Sequence, residues 1–267
     1  MHALFGVKHI ILIVLSLILV AVGYIFSRRL RFAAMAKIMM GIGLISETIK
    51  IFYYIIINEE KYGGILPKSD LPFHLCSIQI IFIVLLNISE SEKLREMLVS
   101  FMMPSCLIGG LAALLIATDS ARNGLWIITA QYFIYHASIM VFALYLMSSK
   151  EYSPTLKRYT YCLKLLLVIM FFAFYINSWV YDGVSNINFM YVAGPPQDGL
   201  PYLNDNNGWL SYIIRYAILV IGAVTLFYIK PIVIAIRSRL SKIKAKPVPK
   251  AEEAEEIKSE ENEYINN

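Results

Sequence analysis

With 267 residues, 58% of them hydrophobic and only 16% charged, and a mean hydropathy of +0.62, the chain is far more apolar than a soluble domain of its size. The net charge of +5 does not point to nucleic acid, because Lys and Arg cluster beside the ends of apolar runs, where membrane topology puts them. Cys76, Cys106 and Cys162 are odd in number and lie in or beside those runs, which excludes a disulfide-stapled secreted fold.

Seven apolar runs of roughly the 20 residues that a membrane crossing needs follow one another. Span one, 9–26, is closed by Arg28, Arg29 and Arg31; Ser27-Arg28-Arg29 stands where a secretory leader would carry small residues, so the run reads as a span. Span two, 32–57, is long and carries Lys37, Glu47 and Lys50. The loop 58–70, with Gly63-Gly64 and Pro67 as breakers, leads into span three, 71–88. A polar turn, 89–96, precedes span four, 97–117, where Pro104 is expected to kink the helix.

Span five, 125–147, and span six, 159–181, flank a charged turn with Lys150, Lys157 and Arg158. The loop 182–208 has no Lys or Arg, and loops of this length are usually functional or disordered. Span seven, 209–236, runs into a basic stretch, 237–250, and a Glu-rich tail that reads as disordered. The fold class is therefore all-α, a polytopic seven-transmembrane-helix bundle over 1–240 with a tail at 241–267. Basic residues after spans one, five and seven put the amino terminus outside and the carboxyl terminus in the cytoplasm.

The stretch Leu71-Pro72-Phe73-His74-Leu75-Cys76-Ser77-Ile78-Gln79 places a proline, a histidine and a thiol at the mouth of an apolar run. Ionisable and polar groups inside a membrane are costly and mark function by default. Pro72 suits a first helical turn, with Ser69 or Asp70 as its cap, so Cys76 is expected about a turn inside span three. A helix-end dipole favours a thiolate but fades beyond the first turn, so Cys76 as a nucleophile needs a base. His74, two residues away, points to another side of the helix. His136 is the candidate, on one face of span five with Thr129, Tyr132 and Phe133.

Depth is the obstacle. Counted along ideal helices, His136 lies roughly 16 Å below the start of span five and Cys76 about 7 Å below that of span three. The two meet if span three enters from a recess, as Pro67 and Pro72 allow, or if span five begins nearer Thr129. Around the pair, Glu47 is expected to orient His136 or to pair with Lys50, and Gln79 to donate to an oxyanion or to hold two helices together. His74 is a further supporting residue. Arg215, beside Trp209, Tyr212 and Tyr216, is expected to hold a lipid phosphate or to snorkel. Asn188 and Tyr191 in the long loop, and Tyr132 beside His136, complete the substrate side.

The Leu-Pro-Phe-His-Leu-Cys entry, the later Gln131-Tyr132-Phe133-Ile134-Tyr135-His136, and the Asn188-Phe189-Met190-Tyr191 to Pro195 run before Gly208-Trp209-Leu210-Ser211-Tyr212 come in a telling order. In this the chain resembles the YwaF-type integral membrane family over roughly 10–236. Phe189 departs from the tyrosine usual after that asparagine. The vertebrate branch of that family, regarded as phospholipid acyltransferases using a cysteine and a histidine, implies those roles for Cys76 and His136. The expected activity is thus acyl transfer between phospholipid and lysophospholipid, or acyl hydrolysis, in the cell membrane through an acyl-thioester and without a cofactor. Two alternatives stand beside it: an intramembrane zinc hydrolase drawing on His9, His74, Cys76, His136 and Glu47, and a non-catalytic seven-helix carrier or scaffold.

Overall fold

The computed structural model describes residues 5–183, 187–195 and 202–244, and among them there is no strand. The chain divides after Tyr228 into two units, Met1–Tyr228 and Ile229–Asn267. The first, the helical body, contains in chain order α1 (Val7–Ser27), α2 (Phe32–Phe52, continued by a π-helical turn at Tyr53–Ile57), α3 (Glu59–Tyr62), α4 (Leu75–Ile88) and α5 (Glu92–Leu115). It continues with α6 (Asp119–Asn123), α7 (Trp126–Ser148), α8 (Leu156–Val180) and α9 (Trp209–Phe227). In the second unit one helix is described, α10 (Ile229–Lys244). The tail read as disordered lies outside the described residues from 245 onward.

Six helices, α1, α2 with its π turn, α5, α7, α8 and α9, are long and apolar enough to cross a membrane. Two of the expected spans differ. Span three is only the 14 residues of α4, about 21 Å of helix against the ~30 Å of a bilayer core. Span seven stops at Tyr228, which leaves helical geometry at φ −94°, ψ 14°. Pro231 explains the stop: it has no amide hydrogen for the Phe227 carbonyl, and its ring crowds that oxygen.

The centre of the body is the pair α5 and α7. Each has 56% of its apolar window buried, against 11–22% in the other four, whose outward side chains are left for lipid. Small residues let the pair close up. A Cβ on Gly110 of α5 would sit 2.6 Å from Met140 Cγ and 3.1 Å from the His136 carbonyl oxygen, so α5 touches α7 backbone at the level of His136.

Polar side chains tie the remaining helices to this pair. Gln131 of α7 donates to Ser46 of α2 (2.6 Å), Tyr145 to the Leu30 carbonyl, and Asn87 of α4 to the Ala36 carbonyl of α2. Pro104 lies inside α5 and withholds an amide from the Ser100 carbonyl. The buried Tyr228 hydroxyl supplies the missing donor at 2.8 Å, so the end of α9 repairs a gap in α5.

Candidate functional site

The segment before α4 does not begin the helix where its proline suggests. Leu71 to His74 form a turn closed by a Phe73 N–H to Leu71 C=O bond of 2.7 Å, and the helix starts at Leu75 with His74 as N-cap. Aromatic packing holds the turn: the Phe73 ring meets Phe172 of α8 and Phe189 at 5.7 and 5.4 Å. Leu71 and Phe73 cover the small core of Ile176, Val180, Ile187 and Phe189. Cys76 therefore occupies the first turn of α4 instead of lying a full turn inside.

That placement changes the electrostatics at the sulfur. The first amides of a helix have no partner within it and carry the positive end of its dipole. Ile78 already donates to the His74 carbonyl, so the N–H groups of Leu75, Cys76 and Ser77 are the free ones within the helix ladder.

The recess is the route by which the depths are reconciled. Lys50 Nζ reaches the Asp70 carbonyl at 2.7 Å, while α2 and its π turn run seven residues farther, to Ile57. The entry to α4 is thus tied to α2 through a residue about two turns short of that end. Tyr135 of α7 then donates its hydroxyl to the Cys76 carbonyl at 2.7 Å, pinning the start of α4 to the middle of α7. The half-buried Cys76 thus begins α4 beside Tyr135, whose ring centroid lies 5.6 Å from that of His136.

His136 is held from its own helix. Nδ1 bonds the Tyr132 carbonyl at 2.7 Å, and the Tyr132 ring leans on the imidazole with centroids 4.2 Å apart. A carbonyl only accepts, so Nδ1 carries a proton and Nε2 is the nitrogen left to face another partner. Tyr132 is in turn fixed by donating to the Ala113 carbonyl at the end of α5 (3.0 Å). On the same face of α7, the buried Thr129 hydroxyl has no hydrogen-bond partner among the described residues.

For Glu47 and Gln79 the structure takes the second of the two roles expected, pairing with Lys50 and joining two helices. Glu47 pairs with Lys50 at 2.8 Å; the acceptor that orients His136 is the Tyr132 carbonyl, not this carboxylate. Gln79 is fully buried and spends both amide hydrogens, on the Leu75 carbonyl and on Ser105, while its oxygen accepts the Cys106 thiol. It joins α4 to α5 and has no hydrogen left for an oxyanion. His74 bonds the Ser69 carbonyl at 2.9 Å and lies against Phe189 and Tyr191. Arg215 braces Asn204, to whose carbonyl it donates at 2.5 Å.

Asn188 and Tyr191 belong to a tight loop beside the pair. The Asn188 amide bonds Gly194 and Ala193 across the loop, and Met190 and Tyr191 both take left-handed φ, 56° and 54°. Such conformations cost non-glycine residues of order 1 kcal/mol each and persist only when the surroundings impose them. Here Asn177 of α8 grips Phe189 through both its N–H and its carbonyl. Tyr212 and Tyr216 of α9 donate to the carbonyls of Tyr191 and Met190. Loss of water around the Tyr191 hydroxyl pushes the phenol above its ordinary range, so it stays a donor. Phe189 is fully buried and packs instead of bonding.

Tyr135, Asn177 and the Tyr212/Tyr216 pair were not singled out from the sequence for these roles. The legible signal was a lone asparagine inside an apolar span, which lipid does not tolerate without partners. For the zinc alternative, His9 bonds the Leu114 carbonyl through Nε2 and the Phe5 amide through Nδ1. Among the described residues no three His, Cys, Asp or Glu side chains gather as a metal site.

A family model described as TMEM164 family matches residues 4–228, most of the chain and the whole helical body, and the chain belongs to that family of membrane proteins. No curated protein matches it, and no solved structure does.

Proposed function

We propose that this multi-pass membrane protein is a phospholipid acyltransferase or acyl hydrolase whose nucleophile is Cys76 and whose base is His136. One observation carries the reading: the bond from Tyr135 to the Cys76 carbonyl joins the first turn of α4, which bears the thiol, to the turn of α7 that bears His136, whose Nδ1 is committed to the Tyr132 carbonyl. A sulfur at the positive end of a helix beside a neutral, oriented imidazole is the arrangement that makes a thiolate available. The likeness of the three sequence motifs to the YwaF-type group points the same way. In this reading the body sits in the cell membrane as seven helices, α4 being the short one, with the amino terminus outside.

His136 Nε2 takes the Cys76 proton as the sulfur bonds the ester carbonyl carbon of a phospholipid. The Cys76 and Ser77 amides, free at the start of α4, face the developing oxyanion in place of Gln79. Collapse breaks the ester C–O bond, and His136 returns the proton to the departing lysophospholipid oxygen, leaving an acyl-thioester on Cys76. A lysophospholipid hydroxyl, or water, then attacks that thioester while His136 accepts its proton, and the thiol is restored. Tyr191 and Asn188 shape the mouth of the site, and Tyr132 keeps the ring in place. Arg215 acts there through the loop it braces.

The test is acyl-enzyme trapping. Purified protein is incubated with phosphatidylcholine labelled in its acyl chains and quenched in acid, and hydroxylamine-sensitive label is mapped. Label on Cys76 that disappears in Cys76→Ala and survives in Cys162→Ala is the expected result. A Cys76→Ala protein that remodels lipid at the parent rate would remove the nucleophile from consideration.

A further inference from the structure

We infer that α10 is a binding element for anionic lipid, lying in the plane of the membrane surface with its apolar face among acyl chains and its cations among headgroups. This role is independent of the chemistry proposed for Cys76.

Length excludes a continued span. The 19 residues of α9 already rise about 28 Å, close to the ~30 Å hydrocarbon thickness, so the chain reaches the membrane surface near Tyr228. The helix is broken there, and the family match also ends at residue 228. Beyond the break, α10 differs in kind from α9. Ile229–Lys244 contains five Lys or Arg and no Asp or Glu in 16 residues.

The apolar residues are segregated. At 100° per residue, Ile229, Ile232, Val233, Ile236 and Leu240 fall on one arc, the i, i+3, i+4, i+7, i+11 pattern of an amphipathic helix. Lys230, Arg237, Ser238 and Ser241 lie off it, Arg239 borders it, and Ile234 is the apolar residue outside it. Ile229, Ile236 and Leu240 are 47, 51 and 53% exposed, so this face needs a cover. A narrow isoleucine-rich stripe with cations outside it is the pattern of helices that lie in a membrane interface.

The end of the body from which the chain leaves names the charge of that cover. Tyr228 bonds Ser100 in the first half of α5, and Tyr159 near the start of α8 bonds Thr225. This end carries the exposed cations Arg28, Arg29, Arg31, Lys93, Lys150 and Lys157. It is the basic end that the topology rule sets in the cytoplasm, where the leaflet bears anionic headgroups. A run of five cations without a carboxylate complements that surface and not a second copy of itself, which would bring like charges together.

The experiment uses the full chain in vesicles of phosphatidylcholine alone or mixed with phosphatidylglycerol. An environment-sensitive dye is placed on Ile236→Cys or Ser238→Cys in a Cys76→Ala background, the other two thiols being buried. The expected result is an apolar environment and lipid-soluble quenching at 236, a watery one at 238, and deeper burial at 236 when phosphatidylglycerol is added. Arg237→Gln and Arg239→Gln should each weaken the anionic-lipid response about fivefold, and salt should do the same. The inference is overturned if 236 stays in water in both vesicles, or if its burial ignores lipid charge. It is equally overturned if burial follows the protein-to-lipid ratio, as a second copy would make it, or vanishes when the chain is cut after residue 244, as a covering tail would.

Discussion

The hydroxyl of Tyr135 donates to the carbonyl of Cys76 at 2.7 Å, joining the start of the 14-residue helix α4 to the middle of α7, one of the two central helices. Through this bond a residue beside His136 in sequence fixes the backbone of Cys76, about sixty positions earlier. Tyr135→Phe leaves that carbonyl only its helical donor, the amide four residues on, and removes the tie between the two helices, a loss of about 0.5–1.5 kcal/mol. Acyl-thioester formation should slow by one to two orders of magnitude while the helical content, measured by circular dichroism, is kept.

Replacing His136 by glutamine keeps a polar side chain of similar reach and removes the proposed base. Loss of general-base assistance is worth roughly 10²- to 10⁴-fold. Single-turnover labelling of Cys76 at neutral pH should fall by that factor in His136→Gln and recover in part as the pH is raised, because hydroxide then generates thiolate without the imidazole. Labelling that is equally fast in the variant and the parent would leave His136 a structural histidine.

Gly110 is where a side chain has least room, because a Cβ there would stand 2.6 Å from Met140 Cγ and 3.1 Å from the His136 carbonyl oxygen. Gly110→Val should push α5 from α7 at the site, costing about 1–3 kcal/mol of overpacking and abolishing acyl transfer. A Cβ on Gly222 of α9 meets nothing within 4 Å, so Gly222→Val should leave activity unchanged. Melting of the detergent-solubilised variants followed by tryptophan fluorescence, together with lipid turnover, separates the two.

The Pro104, Ser100 and Tyr228 relationship makes a cycle. Tyr228→Phe alone strands the Ser100 carbonyl and should destabilise the body by about 1–3 kcal/mol. Pro104→Ala restores the helical amide to the same oxygen. The double variant should therefore be more stable than the sum of the two single effects allows, read as thermal midpoints. Strict additivity would mean that the hydroxyl does not serve the gap left by the proline.

Tyr212 supports the loop from outside the pair, bonding the carbonyls of Tyr191 and Gly194. With Tyr212→Phe the two left-handed residues lose an anchor, and the loop should relax toward ordinary φ. The expected signature is a raised KM for phospholipid and faster hydrogen exchange over 188–194, with kcat less affected. A change in kcat alone would instead tie Tyr212 to the chemical step.

Much of the scaffold was readable from composition and run length, because a membrane demands long apolar helices and cations at their ends. All-helical architecture, the loop beside the site and the pairing of Glu47 with Lys50, three residues apart on one helix, all come from such local rules. The breaks were less legible: span seven reads as one apolar run over 209–236, and only the structure shows that it stops at Tyr228, ahead of Pro231. Where α4 begins was decided by Phe73 packing on Phe172 and Phe189, partners about a hundred residues away that no local pattern reveals. The same holds for the chemistry. Sequence marked Cys76 and His136 as unusual residues for their surroundings, and spacing along ideal helices set them at different depths. Only the tertiary structure tied the start of α4 to the turn of α7 beside His136 and engaged Gln79 with partners of its own, because hydrogen bonds between helices depend on which faces meet and not on the order of residues within either.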